Sequence, residues 1–275
     1  MAVNVTDANL PICVFESRVG GLTVLAALRR HLPGEDFIYP GVTARLPYGT
    51  KSAATVERYA QQAAGVLVAR GIKVFVVVCY TASATALCAL AQEFAPLPVF
   101  GVAVPGALAA CEVADSSDVA VLTTESTISG GAYQRASLHQ RLAMRVLGRP
   151  CPLWLTLAEQ GGDASALADT ILLDGVRGLV MSEQTADAPS TVVLGCTHFL
   201  VFRTRLQQLL GSQAQVIDSA QTTAGSVAAA LQSEGLPSNR GGNIQFLSTD
   251  GMEGFQPLGA TFLAEGISDV ELVDL

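Results

Sequence analysis

The chain has 275 residues and a net charge of −8, with only 16 lysine and arginine residues. This balance argues against nucleic acid or an anionic membrane as a partner, because both favour clustered positive charge. Half of the residues are hydrophobic, enough for a sizeable core, yet every apolar run is interrupted before the roughly 20 residues that a membrane-spanning helix needs. The N-terminal segment carries Asp7 and no basic cluster, unlike a secretory signal. We therefore expect a cytoplasmic protein that acts on a small molecule.

Apolar runs typical of strands alternate with stretches of helical periodicity along the chain. The predicted strands are Pro11–Phe15, Asp36–Tyr39, Val74–Val78, Val99–Val102, Val119–Leu122, Gly178–Val180, Thr191–Leu194, Val216–Ile217 and Gln245–Leu247. The predicted helices are Leu22–His31, Ala54–Arg70, Ser83–Phe94, Gly131–Leu147, Ala164–Asp174, Leu200–Leu210 and Ala220–Ser233. This order predicts an α/β protein with doubly wound parallel sheets.

Strand ends in the first part of the chain resemble strand ends further on. Residues 13–21 and 121–131 both run from an apolar stretch into a polar turn that contains glycine, and Cys79 and Cys196 both follow apolar strands. We interpret this as a weak internal duplication that gives two similar α/β domains, one of residues 1–102 with 216–275 and one of residues 103–215. Because ligands bind beyond the carboxyl ends of strands in open parallel sheets, the four loops are expected to meet in one cleft between the domains.

The two cysteines that follow strands form a matched pair. Cys79 and Cys196 each have a threonine close behind, Thr81 and Thr197. A lone free cysteine is most often a small buried hydrophobe. A matched pair indicates instead two thiols that face one substrate from opposite sides, an arrangement that moves a proton across a carbon.

The neighbours of each cysteine suggest how its thiol is activated. Cys79 precedes a predicted helix, whose N–H groups and dipole are expected to lower the thiol pKa. Cys196 has His198 two residues on, an imidazole able to exchange protons with it. The six cysteines are widely spaced and lack the pattern of a zinc site or a disulfide framework, so we expect reduced thiols and no metal.

Several segments together resemble the motifs of glutamate racemases. Cys79–Ala84 is similar to C-N-T-A-[ST]-A, and Leu194–Phe199 is similar to L-G-C-T-H-[YF]. Glu16–Leu25 resembles D-S-G-V-G-G-L-[ST]-V-L, and Thr43–Ser52 resembles T-A-R-x-P-Y-G-x-[KR]-S. Shorter similarities lie at residues 129–133, 151–153, 159 and 218–220, so that the resemblance spans most of the chain.

The resemblance implies a cofactor-independent racemase that interconverts L- and D-glutamate and supplies D-glutamate for peptidoglycan. It implies that Cys79 and Cys196 are the acid/base pair, and that Glu16, His198 and Glu159 assist them. The substrate-binding residues that it implies are Ser17, Pro47, Tyr48, Gly49, Tyr80, Thr81, Thr127 and Thr197. The family resemblance also suggests a homodimer.

Three site positions depart from the family pattern. Glu16 replaces an aspartate, Arg18 a glycine and Tyr80 an asparagine. Two alternatives to a glutamate racemase therefore stay open. One is a re-tuned or catalytically impaired racemase-like protein that binds a different ligand or a protein partner. The other is a different proton-transfer or lyase reaction on a dicarboxylic acid. His198, directly after the Cys-Thr pair, favours glutamate over aspartate.

Overall fold

Ten parallel strands form two separate sheets in the part of the chain that the structure describes. The structure is a computed structural model that describes residues 7–45, 48–114, 118–139, 145–161, 165–180, 188–239, 241–250, 262–263, 266–267 and 269–275. The strands are β1 (Ile12–Phe15), β2 (Phe37–Gly41), β3 (Val74–Val77), β4 (Val99–Gly101), β5 (Asp118–Thr123), β6 (Arg145–Pro150), β7 (Thr191–Gly195), β8 (Gln215–Asp218), β9 (Ile244–Ser248) and β10 (Val270–Leu272). The first sheet has the order β10-β9-β2-β1-β3-β4, and the second the order β6-β5-β7-β8.

Helices connect the strands and cover the sheets. They are α1 (Leu22–His31), α2 (Ala53–Ala69), α3 (Tyr80–Thr85), α4 (Leu87–Glu93), α5 (Ala103–Val113), α6 (Glu125–Ser129), α7 (Ala132–His139), α8 (Pro152–Glu159), α9 (Ala166–Val176), α10 (Arg203–Leu210) and α11 (Ser219–Ser233). Short 3-10 helices span Thr43–Arg45, Tyr48–Thr50 and Thr197–Phe202. Helix α11 packs on α1 and on α5, so it joins the helical layers of both sheets.

The central strands are buried along their whole length, which explains their uniform apolar composition. Every residue of β1, β3 and β7 is buried, and β-branched residues are the majority in β3 and β7. A parallel strand covered by helices on both faces has no solvent side, so its sequence reads as a continuous apolar run. The register aligns Phe15 with Val77 in the first sheet and Leu122 with Leu194 in the second, which brings the carboxyl ends of neighbouring strands level.

The prediction of an α/β fold with two doubly wound parallel sheets is confirmed. The predicted strand Gly178–Val180 is wrong, because these residues form a turn after α9 in which Gly178 has a φ of 69°. The predicted helix Gly131–Leu147 is wrong at its end, since Arg145–Pro150 forms the edge strand β6. The helical pattern continues to residue 147 in the sequence because Val146 and Leu147 are apolar. Helices α5, α6 and α8 and strand β10 were not predicted.

The division into two domains stays a prediction. Strand β8 pairs with β7 in the second sheet, so the boundary placed between residues 215 and 216 falls inside a strand of that sheet. Strands β9 and β10 return to the first sheet beside β2, as the predicted return of the C-terminal segment requires.

No helix in the described ranges combines the length and the apolar character needed to cross a bilayer.

Candidate active site

A cleft lies where the carboxyl ends of strands from both sheets meet, and residues that follow β2 and β6 also line it. The loops after β1 and β3 of the first sheet face the loops after β5 and β7 of the second. Each pair flanks the point at which the strand order of its sheet reverses, where open α/β sheets bind their ligands. The cleft has a volume of about 230 Å³, below the roughly 300–1,000 Å³ of sites for drug-sized ligands, so it suits a small molecule.

The structure brings together eleven of the thirteen predicted site residues at this cleft. They are Glu16, Ser17, Tyr48, Gly49, Cys79, Tyr80, Thr81, Glu159, Cys196, Thr197 and His198. Thr127 lies behind the lining, where its hydroxyl is 3.0 Å from that of Thr124, a residue that does line the cleft. Pro47 lies outside the described residues.

Cys79 ends the segment after β3 and faces the loop that follows β1. Its sulfur is 3.4 Å from the Ser17 hydroxyl, which in turn donates a hydrogen bond to Glu16 Oε1 at 3.0 Å. The Ser17 N–H donates to the same oxygen at 2.7 Å. Cys79 is only 5% exposed, so this thiol is held by a hydroxyl and a carboxylate with almost no water around it.

Glu16 connects the two sides of the cleft. Its Oε1 accepts from Ser17 on the Cys79 side, while its Oε2 accepts from the Thr197 hydroxyl at 3.0 Å, next to Cys196. Burial raises the pKa of the Glu16 carboxyl, and the hydrogen bonds from Ser17 and Thr197 act in the opposite direction. The longer side chain that replaces the family aspartate therefore reaches residues on both sheets.

Cys196 lies opposite, at the end of β7, beside a chain of polar groups. Its sulfur is 3.9 Å from His198 Nδ1. His198 Nε2 faces Glu159 Oε1 at 3.8 Å, too long for a hydrogen bond. Glu159 forms an ion pair with Arg18, which comes from the loop after β1. This chain crosses the cleft from the second sheet to the first.

The prediction that Cys79 has a lowered thiol pKa is wrong, although an N–H group at the start of the helix acts in the predicted direction. Burial raises the pKa of Cys79 well above its usual value, and the charge of Glu16 raises it further. The Ser17 hydroxyl and the Ala82 N–H act in the opposite direction, but they are outweighed. Burial also raises the pKa of Cys196 to about 12. Both residues are therefore thiols, not thiolates, at neutral pH.

His198 is held as a neutral imidazole. Burial lowers its pKa to about 3, and the nearby positive charge of Arg18 contributes in the same direction. A neutral ring can accept a proton on one nitrogen while it carries a hydrogen on the other. His198 Nδ1 can therefore accept a hydrogen bond from the Cys196 thiol, but its low pKa makes it a weak base towards that thiol.

A close backbone approach fixes the position of the Cys196 side. A Cβ atom at Gly20 would lie 2.6 Å from both His198 Nδ1 and Thr197 Oγ1, closer than real Cβ contacts allow. Only glycine lets the loop after β1 pack directly against Thr197 and His198. Gly20 thus has a packing role that was not predicted from the sequence.

Tyr80 directs its hydroxyl away from the centre of the cleft. The hydroxyl donates to Leu194 O at 3.0 Å and hydrogen-bonds to Ser219, although Tyr80 is among the residues that line the cleft. The ring stacks on Tyr133, with centroids 6.3 Å apart and planes 14° apart. The hydroxyl of Tyr80 is thus bound to groups of the protein and is not free to contact a substrate.

Some residues of the site were not assigned from the sequence. Thr124 and Glu125 line the cleft from the loop after β5, and Arg18 was noted only as a departure. The similarity between residues 13–21 and 121–131 was the available signal, because it placed both loops at the same cleft. In the described ranges, no group of three or more histidine, cysteine or acidic side chains is arranged to hold a metal ion.

Comparison with known proteins agrees with this geometry. A family model for Asp/Glu/hydantoin racemases matches residues 23–227. The chain belongs to this racemase family. A glutamate racemase of Geobacter metallireducens is 42% identical over 269 residues, which cover 96% of each chain. The resemblance to glutamate racemases is therefore confirmed, and the protein is a racemase by family.

Solved structures of family members superpose over nearly the full length. A glutamate racemase isoform from Bacillus anthracis gives a TM-score of 0.89 at 31% identity and covers 98% of both chains. The glutamate racemase of Francisella tularensis, solved in complex with D-glutamate, gives a TM-score of 0.88 at 28% identity, covering 97% of this chain and 98% of that one. A small amino acid is thus the ligand reported for a protein of this fold.

Proposed function

We propose that the protein is a glutamate racemase in which Cys79 and Cys196 transfer protons on opposite faces of the substrate α-carbon. The observation that carries the proposal is their placement. The two thiols follow corresponding strands of two sheets and line one cleft from opposite sides, each only 5% exposed. The names of the relatives and the glutamate-bound neighbour support glutamate as the substrate.

The reaction is a balanced exchange of protons. The thiolate of one cysteine takes the α-proton, so that the C–H bond breaks and an S–H bond forms. The thiol of the other cysteine gives its proton to the opposite face of the same carbon and becomes the thiolate. No electrons are gained or lost overall, and the roles of the two cysteines reverse in the other direction. The chemistry therefore needs no redox cofactor.

The ammonium group of the substrate would bring a positive charge close to the two thiols. Glu16, Glu125 and Glu159 line the cleft, whereas Arg18 is its one cationic lining residue in the described ranges and is already paired with Glu159. The ammonium group of glutamate would favour the thiolate form of a nearby cysteine, because an opposite charge at close range lowers a thiol pKa. The ammonium group would thus act against the burial that raises both thiol pKa values, whereas the two carboxylates of glutamate act in the same direction as burial.

The groups around each thiol have separate roles in this proposal. Glu16 and Ser17 hold the Cys79 thiol in position. His198 and Glu159 are the auxiliary polar groups beside the Cys196 thiol. Thr81 and Thr197 remain proposed as ligands of the substrate, together with Tyr48, Gly49 and Thr127. We also propose a cytoplasmic homodimer that supplies D-glutamate for peptidoglycan.

Isotope exchange tests the proposal. The purified protein is incubated with L- or D-glutamate in deuterated water, while α-proton exchange is followed by NMR and inversion by optical rotation. We expect both in the wild type and loss of inversion in Cys79→Ser and in Cys196→Ser. Cys88→Ser is the matched control, because Cys88 is exposed and outside the cleft. Absence of exchange with glutamate, aspartate and related amino acids would contradict a racemase.

The ion pair between Arg18 and Glu159 keeps one alternative open. It spans the lining of the cleft, and it could restrict access to Cys196 in a racemase-like protein that only binds a ligand. The same assay separates the two functions, because a pure binding protein would bind glutamate without exchanging its α-proton.

A further inference from the structure

One buried tyrosine joins the two cysteine-bearing segments. Tyr80 directly follows Cys79 in the chain, and its hydroxyl donates a hydrogen bond to Leu194 O at 3.0 Å. Leu194 lies in β7, two residues before Cys196. A single hydrogen bond therefore connects the backbone next to one thiol with the backbone near the other.

A second hydrogen bond and a ring contact hold the tyrosine in place. The hydroxyl also bonds to Ser219, the first residue of α11, which follows β8. The ring stacks on Tyr133 of α7 at a centroid distance of 6.3 Å. The hydroxyl thus sits at the carboxyl ends of β7 and β8 in the second sheet, although Tyr80 begins a helix that follows a strand of the first sheet.

The tyrosine contact differs from the ion pair that also crosses the cleft. Arg18 and Glu159 have side chains 36% and 24% exposed, so water and salt weaken their attraction. Tyr80 is 4% exposed and its two bonds are neutral. A buried neutral hydrogen bond keeps its geometry when a charged substrate enters. Arg18 and Glu159, in contrast, can each form a new ion pair with the charged groups of the substrate.

We propose that Tyr80 is a positioning residue that fixes the separation of the two thiols across the cleft. The proposal rests on the two-cysteine function proposed above. Proton transfer needs reacting atoms about 3–3.5 Å apart, and a misplacement of about 1 Å can lower the rate on the order of 100-fold. A contact that fixes the distance between Cys79 and Cys196 therefore affects the rate of the chemical step and not the affinity for the substrate.

The variant Tyr80→Phe removes the hydroxyl and keeps the stacked ring. We expect kcat for both L- and D-glutamate to fall roughly tenfold or more, with KM unchanged within about twofold, because the hydroxyl does not reach the cleft. Ser219→Ala removes one of the two bonds and should give a smaller fall in kcat, again with KM unchanged. It also provides the test should Tyr80→Phe not fold.

A matched control separates positioning from general loss of stability. Glu35 and Lys73 form a fully buried ion pair, with Oε2 and Nζ 2.6 Å apart, at the opposite end of β3 from Cys79. Glu35→Gln should lower the melting temperature at least as much as Tyr80→Phe and leave kcat unchanged. An equal fall of kcat in this control would assign the effect to stability and overturn the proposal.

Two other outcomes would also overturn it. Unchanged kcat in Tyr80→Phe and Ser219→Ala excludes a positioning role, and a raised KM with unchanged kcat makes Tyr80 a direct substrate ligand. Both outcomes are measured against a wild type that racemises glutamate. They would therefore contradict the role proposed for Tyr80 and leave the proposed racemase function intact. A wild type without exchange contradicts the proposed function, and the positioning role is rejected with it.

Discussion

Each thiol of the cleft is buried close to a carboxylate, and this environment decides how the site residues titrate. Cys79 has Glu16 beside it, and Cys196 has His198, with Glu159 beyond the imidazole. Burial is the largest cause of the raised pKa of both thiols and of the lowered pKa of His198. At neutral pH the cleft therefore holds two neutral thiols and a neutral imidazole, and the thiolate that the proposed reaction needs is the minor form of each cysteine.

The pH dependence of the reaction follows from the raised thiol pKa values. The thiolate fraction grows about tenfold for each pH unit below the pKa, so we expect kcat/KM to rise continuously from about pH 6 to about pH 9. The measurement is kcat/KM for L- and D-glutamate in buffers of constant ionic strength. A plateau that begins near pH 6 would show that one thiol is already ionised in the free protein, contrary to its burial.

Arg18 should control the titration of His198. Its positive charge lowers the pKa of the imidazole. Arg18 also forms an ion pair with Glu159, whose carboxylate would otherwise favour the imidazolium. Arg18→Gly, which restores the family residue, should therefore raise the pKa of His198 from about 3. Burial, the larger cause, should keep it below the usual value of about 6.5.

NMR titration of the imidazole signals measures this change, and the protein has only three histidines to assign. Arg18→Lys is the matched control, because it keeps the positive charge and should leave the pKa near its original value. A pKa that does not move in Arg18→Gly would mean that Arg18 has no electrostatic influence on the imidazole.

At the scale of helices and strands, sequence reading succeeded where an element is buried on both faces. The continuous apolar runs of β1, β3 and β7 identify strands that helices cover completely. Strand β6 was missed because it lies at the edge of its sheet, where no residue is fully buried and Val146 and Leu147 also fit a helical pattern. Periodicity does not separate helix from strand in so short an apolar run.

Helix α11 offers a test of how one element is stabilised. Its N-cap, Asp218, accepts hydrogen bonds from the N–H groups of Ala220 at 3.0 Å and Gln221 at 3.4 Å. Asp218→Ala should lower the free energy of unfolding by about 1 kcal/mol, and the melting temperature by roughly 2–4 °C.

Asp218→Asn keeps the capping oxygen, although it loses the charge that pairs with Arg203, and should retain most of the stability. Thermal denaturation followed by circular dichroism compares the two variants. Equal losses in both would assign the effect to the ion pair with Arg203 and not to the cap.

At the scale of the whole molecule, the cleft depends on contacts between segments far apart in the sequence. The motifs predicted that four strand ends meet, because carboxyl ends of parallel strands lie at one edge of a sheet. They did not predict that Glu16 reaches Thr197, that Arg18 pairs with Glu159, or that Tyr80 bonds to Leu194. These contacts depend on how the two sheets face each other, which no local pattern encodes.

The most direct test of this account is a crystal structure of the protein with glutamate bound. Proton transfer by two thiols predicts that the α-carbon lies between the sulfurs of Cys79 and Cys196, each about 3–3.5 Å away and on opposite faces. The same structure should retain the hydrogen bond from Tyr80 to Leu194. An α-carbon with both sulfurs on one face, or a substrate that reaches only one cysteine, would contradict proton transfer by two thiols.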